Sequence, residues 1–586
     1  MAELTVALAQ VNTAVGDFIG NSEKILDYID RAVGHGADMV VFPEMCLTGY
    51  PPEDLLLKTE FVRESTSYIE AMAQNIGDIV AVVGYVEGDY DTFNSAAVLN
   101  RGKLACSYRK TFLPNYGVFD EKRYFGSGDR NLILDIDGVK VGVTICEDIW
   151  FPGGPMEEQV SRGGAELVVN ISASPFNRGK YEYREKLISA RSMDGPVVLA
   201  YVNTVGGQDE LVFDGGSCIH DPQSGFIAKA ERFSEELLVC RIDFSSLRRK
   251  RKLEPRFRHG ATGYMHENLE IFKIARPARG KVKGRGVEVA KEPRDLSLVE
   301  EIYEALIMGL REYVSKNRFE RVVLGLSGGI DSALTAALAV QALGSSNVVC
   351  VFMPSRYTSD RSSRDAERFI ENLGVEAITL PIDEIFDSYC GSLQEEISGE
   401  NKGVAFENIQ ARIRGNLLMA LSNRFGWLVL ATGNKSELSM GYCTLYGDMA
   451  GGFALIKDLL KSQVYELAKH INKSSGSEVI PIEIIEREPT AELKEEQRDT
   501  DTLPPYHELD PVLEAYIEDG LSASEMIDRG FNQELVRKVI STFDTNEYKR
   551  RQAPVGVKIT ARAFGRDWRM PISTRFNASG RQAKNA

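Results

Sequence analysis

The sequence predicts an α/β protein built from two domains in tandem. Through both halves of the 586 residues, β-branched apolar runs alternate with helix-like segments. Between the halves, at about 244–295, the chain becomes basic and rich in Gly and Pro with weak periodicity. We therefore place a first domain at 1–243, a connecting segment at 244–295 and a second domain at 296–586, each domain long enough for its own core.

In the first half, the apolar runs are short and rich in Val and Ile, which is typical of strands. Helix-like segments with period 3.6 separate several of them. The predicted strands are 5–9, 39–42, 79–85, 139–145, 167–171 and 197–203, and the predicted helices include 21–33 and 181–192.

The second half has the pattern of a Rossmann-like, doubly wound parallel sheet. Nearly continuous apolar strands are separated by helices long enough to be crossover connections. The predicted elements are helix 298–316, strand 321–326, helix 331–343, strand 348–353, helix 360–373 and strand 427–431.

Composition and charge argue against several classes of protein. The formal net charge of −16 opposes a long contact with nucleic-acid phosphates. No apolar run approaches the roughly 18–20 residues of a membrane span, and the N-terminus lacks a signal-peptide pattern. The eight cysteines form no Cys-x-x-Cys pair, which argues against structural zinc and disulfides. We expect a cytoplasmic protein.

A glycine-rich turn between strand 321–326 and helix 331–343 has the composition of a phosphate-binding loop. Its glycines let backbone N–H groups approach anionic oxygens, its serines add hydroxyl donors, and the helix N-terminus adds partial positive charge. The Gly-Lys-Ser/Thr ending of a Walker loop is absent, and an aspartate stands there instead, which requires a divalent cation between it and the phosphates. A plain strand-to-helix turn is the alternative. The predicted phosphate contacts are Gly325, Leu326, Ser327, Gly328, Gly329, Ile330, Asp331 and Ser332.

Three residues in the first domain occupy positions where α/β folds place their chemistry. Glu44 follows the predicted strand 39–42, Lys110 lies in Arg-Lys-Thr-Phe-Leu-Pro, and Cys146 ends the predicted strand 139–145 before Glu-Asp-Ile-Trp. Each alone has an ordinary structural explanation. Together, a carboxylate can take the proton of the thiol, and an ammonium favours thiolate and stabilises an oxyanion.

These three contexts resemble the Glu-Lys-Cys triad of the nitrilase, or carbon–nitrogen hydrolase, superfamily. The resemblance implies an α-β-β-α sandwich in which Glu44 is general base, Cys146 the nucleophile that forms a thioester, and Lys110 the electrostatic stabiliser, with release of ammonia. Its partner domain suggests that glutamine is the amide cleaved. The resemblance carries the binding of glutamine to Tyr116, Ser174 and Lys180, with Ser172 and Arg178 as alternatives nearby.

The phosphate loop resembles that of enzymes that cleave ATP to AMP and pyrophosphate. A nitrilase-like domain ahead of this loop resembles the family of glutamine-dependent NAD synthetases, in which ATP activates deamido-NAD and ammonia displaces AMP. The resemblance covers nearly the whole chain, and further segments that match are 407–414, 432–437, 446–448 and 549–552.

This second resemblance implies particular roles and partners. Thr432 would contact ATP, Asn408, Glu437 and Lys549 would bind deamido-NAD, and Asp331 and Glu437 would hold Mg²⁺. ATP would be a co-substrate, ammonia would pass between two sites, and the protein would be a homo-oligomer through its synthetase domains. Two other interpretations stay open. The first is a tRNA-modifying ligase with the same loop, which the acidic balance disfavours, and the second is a non-catalytic scaffold.

Overall fold

The structure, a computed structural model, describes residues 3–88, 90–253, 268–276, 293–393, 403–490, 492–494 and 497–576. Within it the chain divides into two compact units, Met1–Gln208 with Val212–Asp295, and Asp209–Leu211 with Leu296–Ala586. In the part of the chain described, no helix is long and apolar enough to cross a membrane.

The first unit contains two large mixed sheets and five described helices. The first sheet has six strands in the order β14-β1-β2-β3-β4-β5, and the second has seven in the order β13-β12-β9-β8-β7-β6-β15. The strands are β1 Glu3–Gln10, β2 Met39–Val41, β3 Val80–Gly88, β4 Thr92–Asn100, β5 Lys103–Arg109, β6 Asn131–Ile136, β7 Val139–Ile145, β8 Leu167–Ser172, β9 Val198–Asn203, β10 Val205–Gln208, β11 Leu211–Asp214, β12 Cys218–Asp221, β13 Gly225–Lys229, β14 Glu236–Asp243 and β15 Leu269–Ile274. The helices are α1 Phe18–Gly34, α2 Thr59–Asn75, α3 Pro155–Ser161, α4 Lys180–Asp194 and α5 Ser245–Leu253.

These elements form the predicted α-β-β-α sandwich. The inner faces of both sheets share one core, in which Val6, Val41 and Val82 of the first sheet join Val143 and Val169 of the second. A second cluster on the outer face of the seven-stranded sheet joins residues of α3 and α4 to β6, β8 and β9. The central strands are buried on both faces, which is why the sequence shows them as continuous apolar runs rather than alternating ones.

Part of the segment predicted to connect the domains belongs to the first unit. Strand β15 pairs in parallel with β6 at the edge of the seven-stranded sheet. The basic residues 248–252 lie in α5. Arg248 pairs with Glu166. Arg251 donates to the carbonyls of Pro196, Gly164 and Ala165. The arginines therefore attach the helix to its own unit, a contact that charge patterning alone does not reveal. The other parts of the predicted segment, 254–267 and 277–292, lie outside the described residues.

The second unit is the predicted doubly wound domain, with an all-parallel sheet in the order β18-β17-β16-β19-β20. Its strands are β16 Val322–Leu326, β17 Val348–Phe352, β18 Glu376–Thr379, β19 Leu428–Ala431 and β20 Phe453–Ala454. Its helices are α6 Leu298–Lys316, α7 Ile330–Leu343, α8 Asp360–Leu373, α9 Asp383–Ser392, α10 Gly403–Phe425, α11 Lys435–Met440, α12 Lys461–Ser475, α13 Ile482–Ile485, α14 Tyr506–Ile517, α15 Ala523–Asp528, α16 Gln533–Thr545 and α17 Glu547–Arg550.

The order of the sheet decides where this unit can bind a ligand. Successive strands β16, β17 and β18 lie to one side, whereas β19 pairs with the other edge of β16. The carboxyl ends of β16 and β19 therefore flank the point at which the strand order reverses, where doubly wound folds form their ligand crevice.

Candidate active sites

The first site begins with two residues that leave the six-stranded sheet at strand ends. Glu44 follows β2 and Lys110 follows β5, and both side chains are buried. The turn that carries Glu44 crosses closely over Gly84 of β3, where a Cβ atom would overlap Pro43 O and Met45 N. Glycine at position 84 therefore allows the Glu44 turn to lie against the sheet.

The Lys110 ammonium is fully buried between two carboxylates. Its Nζ lies 2.7 Å from Oε1 of Glu44 and 2.8 Å from Oε1 of Glu121. Burial opposes the charge on Lys110, but Glu121 and Glu44 outweigh burial and raise the pKa of Lys110 above its ordinary value. Burial raises the pKa of Glu121 to about 7, although Lys110 opposes that shift.

Glu44 is held in place by two further donors. Asn94 Nδ2 donates to Oε1 at 2.6 Å, and the N–H of Ala173 donates to Oε2 at 2.9 Å. Asn94 lies on β4 of the same sheet, whereas Ala173 follows β8 of the other sheet. The carboxylate thus joins the two sheets at the site.

Cys146 begins a short 3-10 turn, Cys146–Ile149, directly after β7. Its φ of 41° is in the left-handed region, which non-glycine residues adopt with strain and which recurs at functional sites. Burial raises the pKa of the thiol well above its ordinary value; Glu44 adds to that effect and Lys110 opposes it. The lysine therefore favours the thiolate, as the sequence predicted, whereas burial and Glu44 favour the thiol.

The residues predicted to bind glutamine differ in their exposure and in their contacts near the turn that carries Cys146. The Tyr116 hydroxyl donates to Glu147, the residue after Cys146, at 2.9 Å, and more than half of the Tyr116 side chain is exposed. Lys180 begins α4, donates to the carbonyl of Pro175, and contributes to lowering the pKa of Glu147, which burial raises. Ser174 is buried, and its backbone N–H binds the Asn203 amide oxygen.

The two alternatives named for this role have different environments. Ser172 is fully buried and its hydroxyl donates to Asn170 at 2.8 Å. Its side chain is therefore committed within the core. Arg178 stands in the turn between β8 and α4, next to the start of α4.

Sequence reasoning missed Glu121 and Glu147 as members of this site. Glu121 lies in a 3-10 helix, Glu121–Arg123, with no strand before it, so it lacked the position that identified the other residues. Glu147 was noticed only as part of the Cys-Glu-Asp-Ile-Trp context. Its contact with Tyr116 becomes evident only from the hydrogen bond in the folded structure.

The second site forms around the glycine loop between β16 and α7. Ser327 Oγ lies 3.1 Å from Ser332 Oγ and accepts from the N–H of Gly329 at 3.2 Å. Gly328 has a φ of +77°, and a Cβ atom there would come within 3.0 Å of the Ser362 carbonyl. Hydrogen bonds of its own serines therefore hold the loop in shape, and glycine at position 328 allows the loop to lie close to Ser362.

A cavity of about 260 Å³ opens over this loop. Thr432 and Glu437 line it from the end of β19 and from α11, together with every predicted loop residue except Gly328. The phosphate loop and the β19 end therefore meet in one crevice, at the reversal of strand order. Arg414, the last residue of the predicted segment 407–414, also lines the cavity, as does Arg487, which sequence reasoning did not single out.

Lys461 places an ammonium between the two predicted metal ligands. Its Nζ lies 2.5 Å from Oδ2 of Asp331 and 3.1 Å from Oε1 of Glu437. Burial raises the pKa of Glu437 to about 8, with Asp331 adding to the shift and Lys461 opposing it. Burial would lower the pKa of Lys461, but Asp331 and Glu437 outweigh burial and raise it. Asn434 completes the cluster: its Nδ2 donates to Asp331 at 2.8 Å and its Oδ1 accepts from the N–H of Glu437 at 2.9 Å.

This arrangement fits a divalent cation bound jointly by the protein and phosphate. Two partly buried carboxylates already converge on one cationic group, and the side chain of each is 18% exposed. Across the described residues, no group of three or more His, Cys, Asp or Glu side chains is arranged to hold a metal. Mg²⁺ is commonly held by one or two carboxylates plus substrate phosphates and water, so a two-carboxylate set is sufficient.

Asn408 of α10 and Lys549 of α17 both contact the loop that follows α11, and neither is among the residues that line the cavity. Asn408 Oδ1 accepts from the Thr444 hydroxyl at 2.8 Å. Lys549 Nζ donates to the carbonyls of Gly441 at 2.6 Å and Cys443 at 2.9 Å. The structure thus brings these two predicted residues to one loop without placing them beside Asp331.

The two units and their sites define a class of protein: an amide hydrolase with a buried cysteine, combined with a nucleotide-dependent synthetase. Residues 5–252 match the carbon-nitrogen hydrolase family, and residues 302–553 match the NAD synthase family. The chain is 47% identical over 579 residues to the glutamine-dependent NAD(+) synthetase of Thermotoga maritima, covering 98% of this chain and 99% of that one. It is also 47% identical over 575 residues to that of Aquifex aeolicus, covering 98% and 100%. The chain belongs to the family of glutamine-dependent NAD(+) synthetases.

Solved structures agree with this assignment. The glutamine-dependent NAD+ synthetase of Acinetobacter baumannii, in complex with ADP, superimposes with a TM-score of 0.74 at 39% identity, covering 97% of this chain and 98% of that one. The enzyme from Cytophaga hutchinsonii has a TM-score of 0.80 at 22% identity, covering 98% of each chain, and so shares the fold.

Proposed function

We propose that this protein amidates deamido-NAD to NAD, using ATP and ammonia released from glutamine and giving AMP, pyrophosphate and glutamate. The observation that carries the proposal is the presence of two unlike sites in one chain. The first buries Cys146 with Glu44 and Lys110, and the second combines a phosphate loop with two carboxylates that line the same cavity. This combination also disfavours a scaffold protein, which would not need an ionised lysine buried between two carboxylates.

In the first site, Glu44 takes the proton of Cys146 as the thiol attacks the glutamine amide. Because burial and Glu44 raise the pKa of the thiol, we expect proton transfer to accompany attack rather than precede it. Lys110 keeps its charge throughout and stabilises the tetrahedral oxyanion. Proton return from Glu44 releases ammonia, and water then hydrolyses the thioester to glutamate. Tyr116, Ser174 and Lys180 are the proposed contacts of the glutamine backbone groups.

In the second site, the backbone of residues 325–332 binds the ATP phosphates and Thr432 contacts the nucleotide. The nicotinate carboxylate of deamido-NAD attacks the α-phosphorus and pyrophosphate leaves. Lys461 can stabilise the negative charge that develops on the phosphates, because its ammonium lies beside Asp331 of the phosphate loop. Ammonia then attacks the adenylate and AMP leaves.

Asp331 and Glu437 are the proposed holders of Mg²⁺, which when bound neutralises charge on the phosphate oxygens. Lys549 and Asn408, together with Glu437, are the proposed contacts of deamido-NAD. The resemblance also predicts a homo-oligomer through the synthetase units, and the sequence pattern predicts a cytoplasmic location. We further propose sheltered passage of ammonia, because ammonium, the form that predominates at neutral pH, is a poor nucleophile. An added ammonia-scavenging enzyme should leave glutamine-driven synthesis intact.

The test is NAD formation from deamido-NAD and Mg-ATP, with either glutamine or ammonium salt, on the native protein and on Cys146→Ala. The variant should lose glutamine-driven synthesis and keep ammonia-driven synthesis. If the native protein forms no NAD from either nitrogen source, the proposed substrate is wrong. Adenylation of tRNA by the native protein would instead support the ligase alternative.

A further inference from the structure

The residues of the first site come from two different sheets, and their relative placement must be fixed by something other than either sheet. Lys110 follows β5 of the six-stranded sheet, whereas Cys146 follows β7 of the seven-stranded sheet. Hydrogen bonds within a sheet cannot fix the distance between these two side chains. A displacement of about 1 Å between catalytic groups can cost roughly 100-fold in rate.

Glu44 joins the two sheets beside Lys110, and the side chain of Asp148 forms a second connection, which links the chain at Lys110 to the chain at Cys146. Asp148 lies in the 3-10 turn that starts at Cys146, and its side chain is fully buried. Oδ1 accepts from the backbone N–H of Thr111 at 3.1 Å and of Phe112 at 2.9 Å, the two residues after Lys110. Oδ2 accepts from the N–H of Ile145, the residue before Cys146, at 3.0 Å.

A fourth bond extends the connection into the six-stranded sheet. The Tyr108 hydroxyl, on β5, donates to Asp148 Oδ2 at 2.8 Å. One carboxylate therefore accepts four hydrogen bonds, three from the chain on either side of Lys110 and one from the strand before Cys146. Burial raises the pKa of Asp148 to about 6, against the effect of the Phe112 and Ile145 N–H groups, so the group is ionised and acceptor-only at pH 8.

We propose that Asp148 is a positioning residue for glutamine cleavage, which holds Lys110 at the place where the oxyanion forms beside Cys146. The inference rests on the proposed function of this site. Asp148 donates no proton and touches no substrate in this role. It acts through the two backbone segments that carry the nucleophile and the oxyanion stabiliser.

The inference predicts an effect on kcat rather than on binding or on the second site. In Asp148→Ala at pH 8, kcat for glutamine-driven NAD formation should fall about 100-fold. KM for glutamine should stay within about threefold, because the proposed glutamine contacts remain. Ammonia-driven synthesis should be unchanged. Asp148→Asn keeps one acceptor oxygen and should lose roughly 10-fold in kcat, between the native protein and Asp148→Ala.

Asp221→Asn is the matched control in the same unit. Asp221 is also buried and accepts from two backbone N–H groups, those of Gln223 and Ser224. Equal losses of kcat in Asp221→Asn and Asp148→Asn would overturn the inference, because they would indicate general loosening of the unit. Unchanged kcat in Asp148→Ala, or a change in KM alone, would overturn it as well. If the native protein itself fails to use glutamine, the proposed function fails instead, so the two failures are distinguishable.

Discussion

Replacing Lys461 with glutamine removes the ammonium that lies between Asp331 and Glu437. The 2.5 Å contact with Asp331 corresponds to a gross attraction of about 7 kcal/mol at an effective dielectric constant of about 20. Desolvation of Lys461, which is 2% exposed, offsets much of this, and breaking a buried pair costs about 3–5 kcal/mol net. Asp331 keeps the Asn434 amide and is partly exposed, so we expect a loss near the lower limit, about 3 kcal/mol at pH 7.

The loss should also depend on pH, through Glu437. Its pKa is raised from the ordinary 4.5 to about 8, so between these values the native state holds a proton that the unfolded state has released. Titration of Glu437 therefore lowers the free energy of unfolding as pH rises from 4.5 to about 8, and above that pH its effect is constant. Lys461 opposes the rise in the pKa of Glu437, so without Lys461 that pKa is higher still. The variant should keep losing stability above pH 8, by about 1.4 kcal/mol per pH unit relative to the native protein.

Urea unfolding of the full chain at pH 7, 8 and 9, followed by tryptophan fluorescence, measures this difference. Trp427 and Trp568 report on the second unit. Lys469→Gln, an exposed lysine on the same helix, is the control and should unfold like the native protein at each pH. Stability curves that run parallel for Lys461→Gln and the native protein would refute the coupling between Lys461 and Glu437. If Lys461→Gln were as stable as the native protein at pH 7, the expected loss of about 3 kcal/mol would be refuted.

Three further changes test the same structure. Gly84→Ala should displace the Glu44 turn and lower glutamine-driven kcat about 100-fold, whereas ammonia-driven synthesis should stay unchanged. Equal loss of both activities would contradict this local steric explanation. Alkylation of Cys146 by iodoacetamide should be slow at pH 7 and still accelerating above pH 9, because the pKa of the buried thiol is raised; a plateau near pH 8 would contradict that shift. EDTA should abolish ATP cleavage in the presence of deamido-NAD, and added Mg²⁺ should restore it; cleavage that persists in EDTA would remove the metal role of Asp331 and Glu437.

The phosphate loop could be predicted because its chemistry is contiguous in the chain. Eight successive residues, 325–332, supply the glycines, hydroxyls and helix start, and the family resemblance added Thr432, which follows predicted strand 427–431. Lys461 escaped prediction because it lies about 130 residues from Asp331 and begins an ordinary amphipathic helix. A lysine at a helix start usually indicates a solvated surface, and only the fold places this one between two carboxylates.

The sequence alone determined the two α/β units, the residue types at each strand end and the family resemblance, because periodicity and contiguous motifs are local properties. The tertiary structure decided which charged groups share a buried site. Glu121 joins Lys110 only when the chain after β5 folds back on itself, and Asp148 ties the chain beside Lys110 to that beside Cys146 because the two sheets pack face to face. The protonation of the Cys146 thiol likewise depends on burial, which no single segment specifies. Electrostatic energies vary with distance and desolvation, and both quantities exist only once the chain has folded.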